Sequence, residues 1–143
     1  MKTHQYELID EKVFEHEFDN GLKLFVIPKP GFQKTYVTYT TQFGSLDNHF
    51  KPIGSQQFVE VPDGVAHFLE HKLFEKEDED LFTAFAEENA QANAFTSFDR
   101  TSYLFSATSN IESNIKRLLN MVETPYFTAV SYTHLTLPTI YSV

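Results

Sequence analysis

Apolar and charged residues alternate from Val13 to Phe18, the period of a strand with one face buried. Asp19-Asn20-Gly21 follows, a hairpin signal, because Asn and Gly tolerate the positive φ of a tight turn. Leu22 to Ile27 reads as the returning strand, stopped by Pro28, and Lys29-Pro30-Gly31 predicts a second turn. Thr35 to Phe43 is rich in Thr, Tyr and Val and predicts a third strand. From Gly44 to Gly64 the pattern gives way to a polar stretch bearing Pro and Gly, read as a loop. A helix is predicted from Val65 to about Phe74, with Pro62-Asp63-Gly64 before it and Asp63 as its N-cap. Val65, Phe68, Leu69 and Leu73 share one side of its wheel; His67, Glu70, His71 and Phe74 share the other. A helix apolar around most of its girth is expected to be buried.

The acidic run Glu75-Lys76-Glu77-Asp78-Glu79-Asp80 reads as a solvated connector that places negative charge at the start of the next helix. In that helix, Leu81 to Glu88, the residues Leu81, Phe82, Phe85 and Ala86 have the spacing of a core face. Ala92 to Phe98 and Ser102 to Thr108 predict two strands around Asp99-Arg100. Tyr103 and Phe105 alternate with Leu104, so one set faces the helices. Asn110 is placed to cap a last helix, Ile111 to Glu123, with an apolar stripe of Ile111, Ile115, Leu118, Leu119 and Val122. The sum is an α+β pattern: an antiparallel sheet with helices packed on it.

Composition narrows the chemistry. A chain of 143 residues, 41% hydrophobic and with fifteen Phe, can bury one ordinary core. A net charge of −9 argues against a nucleic-acid backbone or an anionic membrane surface as partner. There is no Cys, so a metal site would have to use His and carboxylates, and a reducing compartment is compatible. Met1 to Glu7 has no apolar segment of a signal peptide, and no run is long enough to span a bilayer. These points lead to the expectation of a cytoplasmic protein.

The chemistry concentrates in His67-Phe68-Leu69-Glu70-His71, an H-x-x-E-H pattern. On a helix, residues four apart project from one face, so His67 and His71 could offer two nitrogens to one zinc ion. Glu70 borders that face and could deprotonate a water held there. Burying two His and a Glu together requires something to settle their polarity, and a metal would do so. His4, His16 and His49 are isolated and read as solvent-facing. Arg100 reads as a surface residue of a turn, and Asn93 as capping its own turn or bonding a substrate backbone.

Val130 to Thr139 departs from the rest of the chain: charged residues stop at Glu123 and a Thr-rich run takes over. It resembles the translation of a transposase-adapter sequence used to prepare DNA sequencing libraries; the alternative is a Thr-rich strand. The organisation expected is therefore residues 1–129 as part of one domain and residues 130–143 as a non-native tail.

The segment Asp63 to Phe74 resembles the zinc helix of the M16 metallopeptidases, the insulinase or pitrilysin family. Asn93-Ala94-Phe95-Thr96-Ser97, then Thr101 and Tyr103, resembles the family strand that follows, and Asn20-Gly21-Leu22 fits an early hairpin. The likeness spans roughly residues 10 to 129 and points to processing-protease-like members of Gram-positive bacteria. It implies the N-terminal part of an M16-type domain, Zn2+ held by His67 and His71, and Glu70 as general base in peptide-bond hydrolysis by metal-activated water. It also implies a peptide or small-protein substrate added as a strand along Asn93, Ala94, Phe95 and Thr96, and a second M16-type subunit or domain as partner. The family's third ligand, a Glu well beyond the motif, would fall near or past the end of the chain. Glu112 and Glu123 are too near and read as surface acids. The resemblance thus implies a truncated, inactive portion of an endopeptidase; the competing expectation is a non-catalytic, peptide-binding or scaffolding subunit.

Overall fold

The computed structural model describes residues 1–77 and 80–128; the expected tail, 130–143, lies outside them. Residues 1–33 form one unit and the chain from Lys34 onward forms another.

In the first unit three antiparallel strands run in the order β1 (Lys2–Tyr6), β2 (Glu11–Glu17), β3 (Lys23–Val26). The β2–β3 turn forms where Asp19-Asn20-Gly21 predicts it. Gly21 takes φ 85°, its N–H donates to the Phe18 carbonyl at 2.9 Å, and the Asn20 side chain accepts from the Leu22 N–H at 3.0 Å. Strand β1 is an addition to the expected set. Its five residues are all exposed, so it has no apolar alternation to announce it and pairs through backbone bonds to β2.

The second unit is built on a three-stranded antiparallel sheet of order β4 (Thr35–Thr41), β8 (Thr101–Ala107), β7 (Ala90–Thr96). The β7–β8 hairpin is in register from Ala90↔Ala107 to Thr96↔Thr101, slightly earlier than the predicted bounds. The polar stretch from Gly44 to Gly64 carries a short pairing of β5 (His49–Phe50) with β6 (Val59–Glu60). Each of these strands is two residues long, too short to show alternation. Three helices follow the expected positions: α1 (Val65–Leu73), α2 (Leu81–Glu87) and α3 (Ile111–Glu123).

The core lies where these helices meet one face of the sheet. Tyr103, Phe105 and Ala107 alternate inward from β8, against Phe74, Leu81, Phe85, Leu118 and Met121. Leu104, between them, is half-buried. Ile111, Ile115 and Val122 of the predicted α3 stripe pack on this core. Asp80 caps α2, accepting from the Phe82 N–H at 3.1 Å and the Thr83 hydroxyl at 2.7 Å, so the acidic run does bring charge to a helix start.

Several predicted faces are corrected. In α2 the buried residues are Leu81, Ala84 and Phe85; Ala86 is exposed, and Phe82 is 48% exposed with its ring stacked on Phe74. The stripe that starts at Leu81 reaches the sheet at i+3 and i+4, which turns the next residue away. Helix α1 is not buried all round: only Ala66 and Lys72 within it are buried, with Phe74 just after it. Ala66, Glu70 and Leu73, spaced i, i+4, i+7, form the stripe toward the sheet, because a small residue lets the helix approach β7 and β8 closely. Phe74 leaves the predicted motif side for the core. Asp63 is not the cap either. Gly64 holds that position at φ 85°, and Asp63 accepts instead from the Asn48 side chain at 2.9 Å. Asn110 precedes α3 as expected, in the left-handed region, but makes no side-chain cap bond.

Candidate metal centre

On α1 the four-residue spacing sets His67 and His71 one above the other, with ring centroids 4.8 Å apart. Their Nε2 atoms lie 3.0 Å from each other. Two nitrogens bound to one tetrahedral zinc at the usual bond length would be separated by about 3.3 Å. The pair thus stands close to a chelating separation with the helix as it is. Both imidazoles are exposed, correcting the expectation of a buried group. A position on the rim of the stripe explains it: Glu70 points under the helix and the two His sit beside it.

Glu70 is half-buried, and its Oε2 accepts the Thr96 hydroxyl at 2.5 Å. Candidate ligand atoms from His67, Glu70 and His71 all lie within 4.8 Å of one another, the only such group among the described residues. Neutral imidazoles and a carboxylate suit zinc, and His71 lies in the last turn, where the helix dipole favours a cation. The residues present therefore fit a zinc ion. Behind the site, Tyr103 is 3% exposed; burial, and then the Glu70 charge, push its phenol well above the ordinary range. Tyr103 is thus neutral and belongs to the core. Lys72, on the other side of α1, pairs with Glu75.

The cleft beside the motif is lined by Ser45, His67, Glu70, Ala94, Phe95 and Thr96. Three of the four predicted strand residues thus reach it. Asn93 is exposed, and its Oδ1 accepts the neighbouring Ala94 N–H at 2.9 Å. Strand β7 is an edge of its sheet. His4, 45% exposed, bonds to Glu15; His16 packs on Phe18; His49 stacks on Phe58; none joins the motif. Arg100 is an exposed turn residue.

Ser45 was not singled out by sequence. Its N–H donates to the Ser97 carbonyl at 2.9 Å, and Leu46 N–H to Phe98 at 3.0 Å, so the loop after β4 is strapped to the β7–β8 turn. Gly44 makes that contact possible: a Cβ there would lie 2.5 Å from the Arg100 nitrogen. A Gly placed directly after a Thr-rich strand is the signal that could have pointed to it.

An H-x-x-E-H helix laid against an antiparallel sheet defines the inverzincin class of metallopeptidase folds. The chain belongs to the insulinase family, peptidase family M16, whose family model matches residues 52–136. It is 54% identical over 128 residues to the "Uncharacterized zinc protease YmfH" of Bacillus subtilis, covering 90% of this chain and 30% of that protein. An M16-like peptidase from Alicyclobacillus acidocaldarius aligns with a TM-score of 0.79 and 37% identity, over 87% of this chain and 29% of that one. Pitrilysin aligns with a TM-score of 0.68 at 20% identity, over 92% of this chain and 14% of its own, a likeness of fold. The chain thus spans under a third of the length of these relatives. Relatives named zinc proteases and the His67–Glu70–His71 group are together consistent with zinc as cofactor.

Proposed function

We propose that the full-length protein is a zinc-dependent endopeptidase, with His67 and His71 as zinc ligands and Glu70 as general base. The observation that carries this reading is the convergence of these three side chains beside an open strand edge. Zinc, when bound, supplies a Lewis acid that polarises the scissile carbonyl and makes water more acidic. One Glu70 oxygen is held by Thr96, leaving Oε1 to take a proton from the attacking water and pass it to the leaving amine.

The free edge of β7 suits a peptide or small protein added as a further strand, bound along Asn93 to Thr96 mainly through backbone bonds. Such binding reads little sequence, and Phe95, 46% exposed in the cleft, would supply an apolar contact. A catalytic zinc usually has three protein ligands and an open position. Among the described residues the group that could hold a metal consists of His67, Glu70 and His71, and this reading takes the third ligand from beyond them. The chain covers 30% of its zinc-protease relative, which supports reading its 143 residues as a partial, inactive site that the full-length protein and a second M16-type domain or subunit would complete. No helix among the described residues is long and apolar enough to cross a membrane, and we place the activity in the cytoplasm.

Glu70→Gln in the full-length protein tests the reading. Peptide hydrolysis should vanish while zinc, measured by elemental analysis after dialysis, stays bound. Hydrolysis at the wild-type rate would sink it. A wild-type protein that binds zinc and peptide without cleavage would instead identify a peptide-binding subunit.

A further inference from the structure

The shortest polar contact at the site joins α1 to β7: the Thr96 hydroxyl donates to Glu70 Oε2 at 2.5 Å. We propose that Thr96 is a positioning residue for Glu70, fixing the carboxylate so that its second oxygen alone is presented to the reacting water. This inference rests on the reading of Glu70 as general base.

Three features make Thr96 suited to the task. As a β-branched residue on a strand, it has few χ1 choices. Its backbone is held by pairing with Thr101, and the next residue closes the hairpin with Ser97 N–H to the Arg100 carbonyl at 2.8 Å. Strand alternation puts Thr96 on the same face as Ala92 and Ala94, both packed toward the core, whereas Asn93 and Phe95 are exposed. The hydroxyl therefore reaches the carboxylate from a rigid platform under the helix. A hydroxyl donating to a carboxylate makes a charge-assisted bond of about 2.5–2.7 Å, stronger than a neutral one.

Without that bond Glu70 would be tethered only by its own flexible stem, on a helix nine residues long. The Thr96 hydroxyl is committed to the carboxylate, so what Thr96 offers substrate is its backbone. A residue acting in this way alters the chemical step more than substrate affinity. Loss of a partner that orients a reacting group typically costs about 10- to 100-fold.

Thr96→Val removes the hydroxyl and keeps the shape and strand preference. In the full-length protein it should lower kcat about 10- to 100-fold with KM and bound zinc unchanged, and Thr96→Ser should restore most of the rate. A change in KM alone, an unchanged kcat, or a Ser variant no better than Val would overturn the assignment. An independent readout needs no variant and no zinc. In the metal-free 143-residue chain, side-chain couplings measured by NMR should show Glu70 in one rotamer, and rotamer averaging there would overturn the assignment as well. Glu70→Gln separates the two levels. An active Glu70→Gln protein removes the base and with it this role, whereas an inactive one beside a fully active Thr96→Val removes this role only.

Discussion

Helices α1 and α3 pack on the same sheet face and use that contact in opposite ways. Helix α3 spends its inward stripe on burial: Leu118 and Met121 are 2% and 0% exposed, and Asn114, also fully buried, donates to the Glu88 and Asn110 carbonyls. Helix α1 turns a small residue and a carboxylate inward and leaves two imidazoles on its open rim. In α3 the stripe is sufficient reason for the helix. In α1 the inward polar group gains nothing from burial itself and is instead partnered by the Thr96 hydroxyl of β7.

Substitutions should split along the same line. The largest effect is expected at Glu70, where Gln should reduce hydrolysis by the full-length protein about 10²- to 10⁴-fold, measured with a fluorogenic peptide. His67→Ala or His71→Ala should release zinc in the same protein. Because both rings are exposed, the melting temperature of the metal-free chain should barely move, within about 0.5 kcal/mol of stability. A large stability loss at either His would erase the contrast between the helices. Phe105→Ala, on the β8 face that α3 covers, should cost about 3–5 kcal/mol in denaturant unfolding. Asn114→Ala should cost about 1 kcal/mol, the loss of its two donor bonds being partly offset because its own Oδ1 lacks a partner.

The smallest effect concerns pH. The Ser113 hydroxyl and the Arg117 guanidinium hold the Glu88 carboxyl below its ordinary value of 4.5. A carboxyl depressed in the folded state adds stability above the unfolded value, and that stability is lost as pH falls through the folded one. Glu88→Gln should therefore narrow the difference in melting temperature between about pH 6 and about pH 3. An unchanged difference would show that this contact on α3 contributes nothing.

Legibility in the sequence follows the same contrast. Helix α3 matches its predicted bounds, Ile111–Glu123, because its stripe and its stability have one cause. The bounds of α1 were legible too, but not its orientation. Apolar residues around most of the wheel predicted burial without singling out an inward face, whereas close packing on a sheet selected Ala66, whose small side chain carries little weight in such a count. The motif His67, Glu70, His71 was legible because its spacing is chemical. The contact of Thr96 with Glu70 was not, since 26 residues separate the partners and only the β7–α1 packing joins them. Strand β1 escaped because a fully exposed polar strand leaves no periodic trace.

Gly44, unlike these residues, has no side chain. Where it meets the β7–β8 turn, main chain rests on main chain with no room for a methyl group. The wall of the cleft at Ser45 is thus referenced to the same hairpin that carries Thr96 and the exposed strand edge. A spacer of zero length cannot be tuned by ordinary substitution. The side chains around the cleft can drift in size and polarity, while the distance between its wall and its floor stays set by the backbone alone.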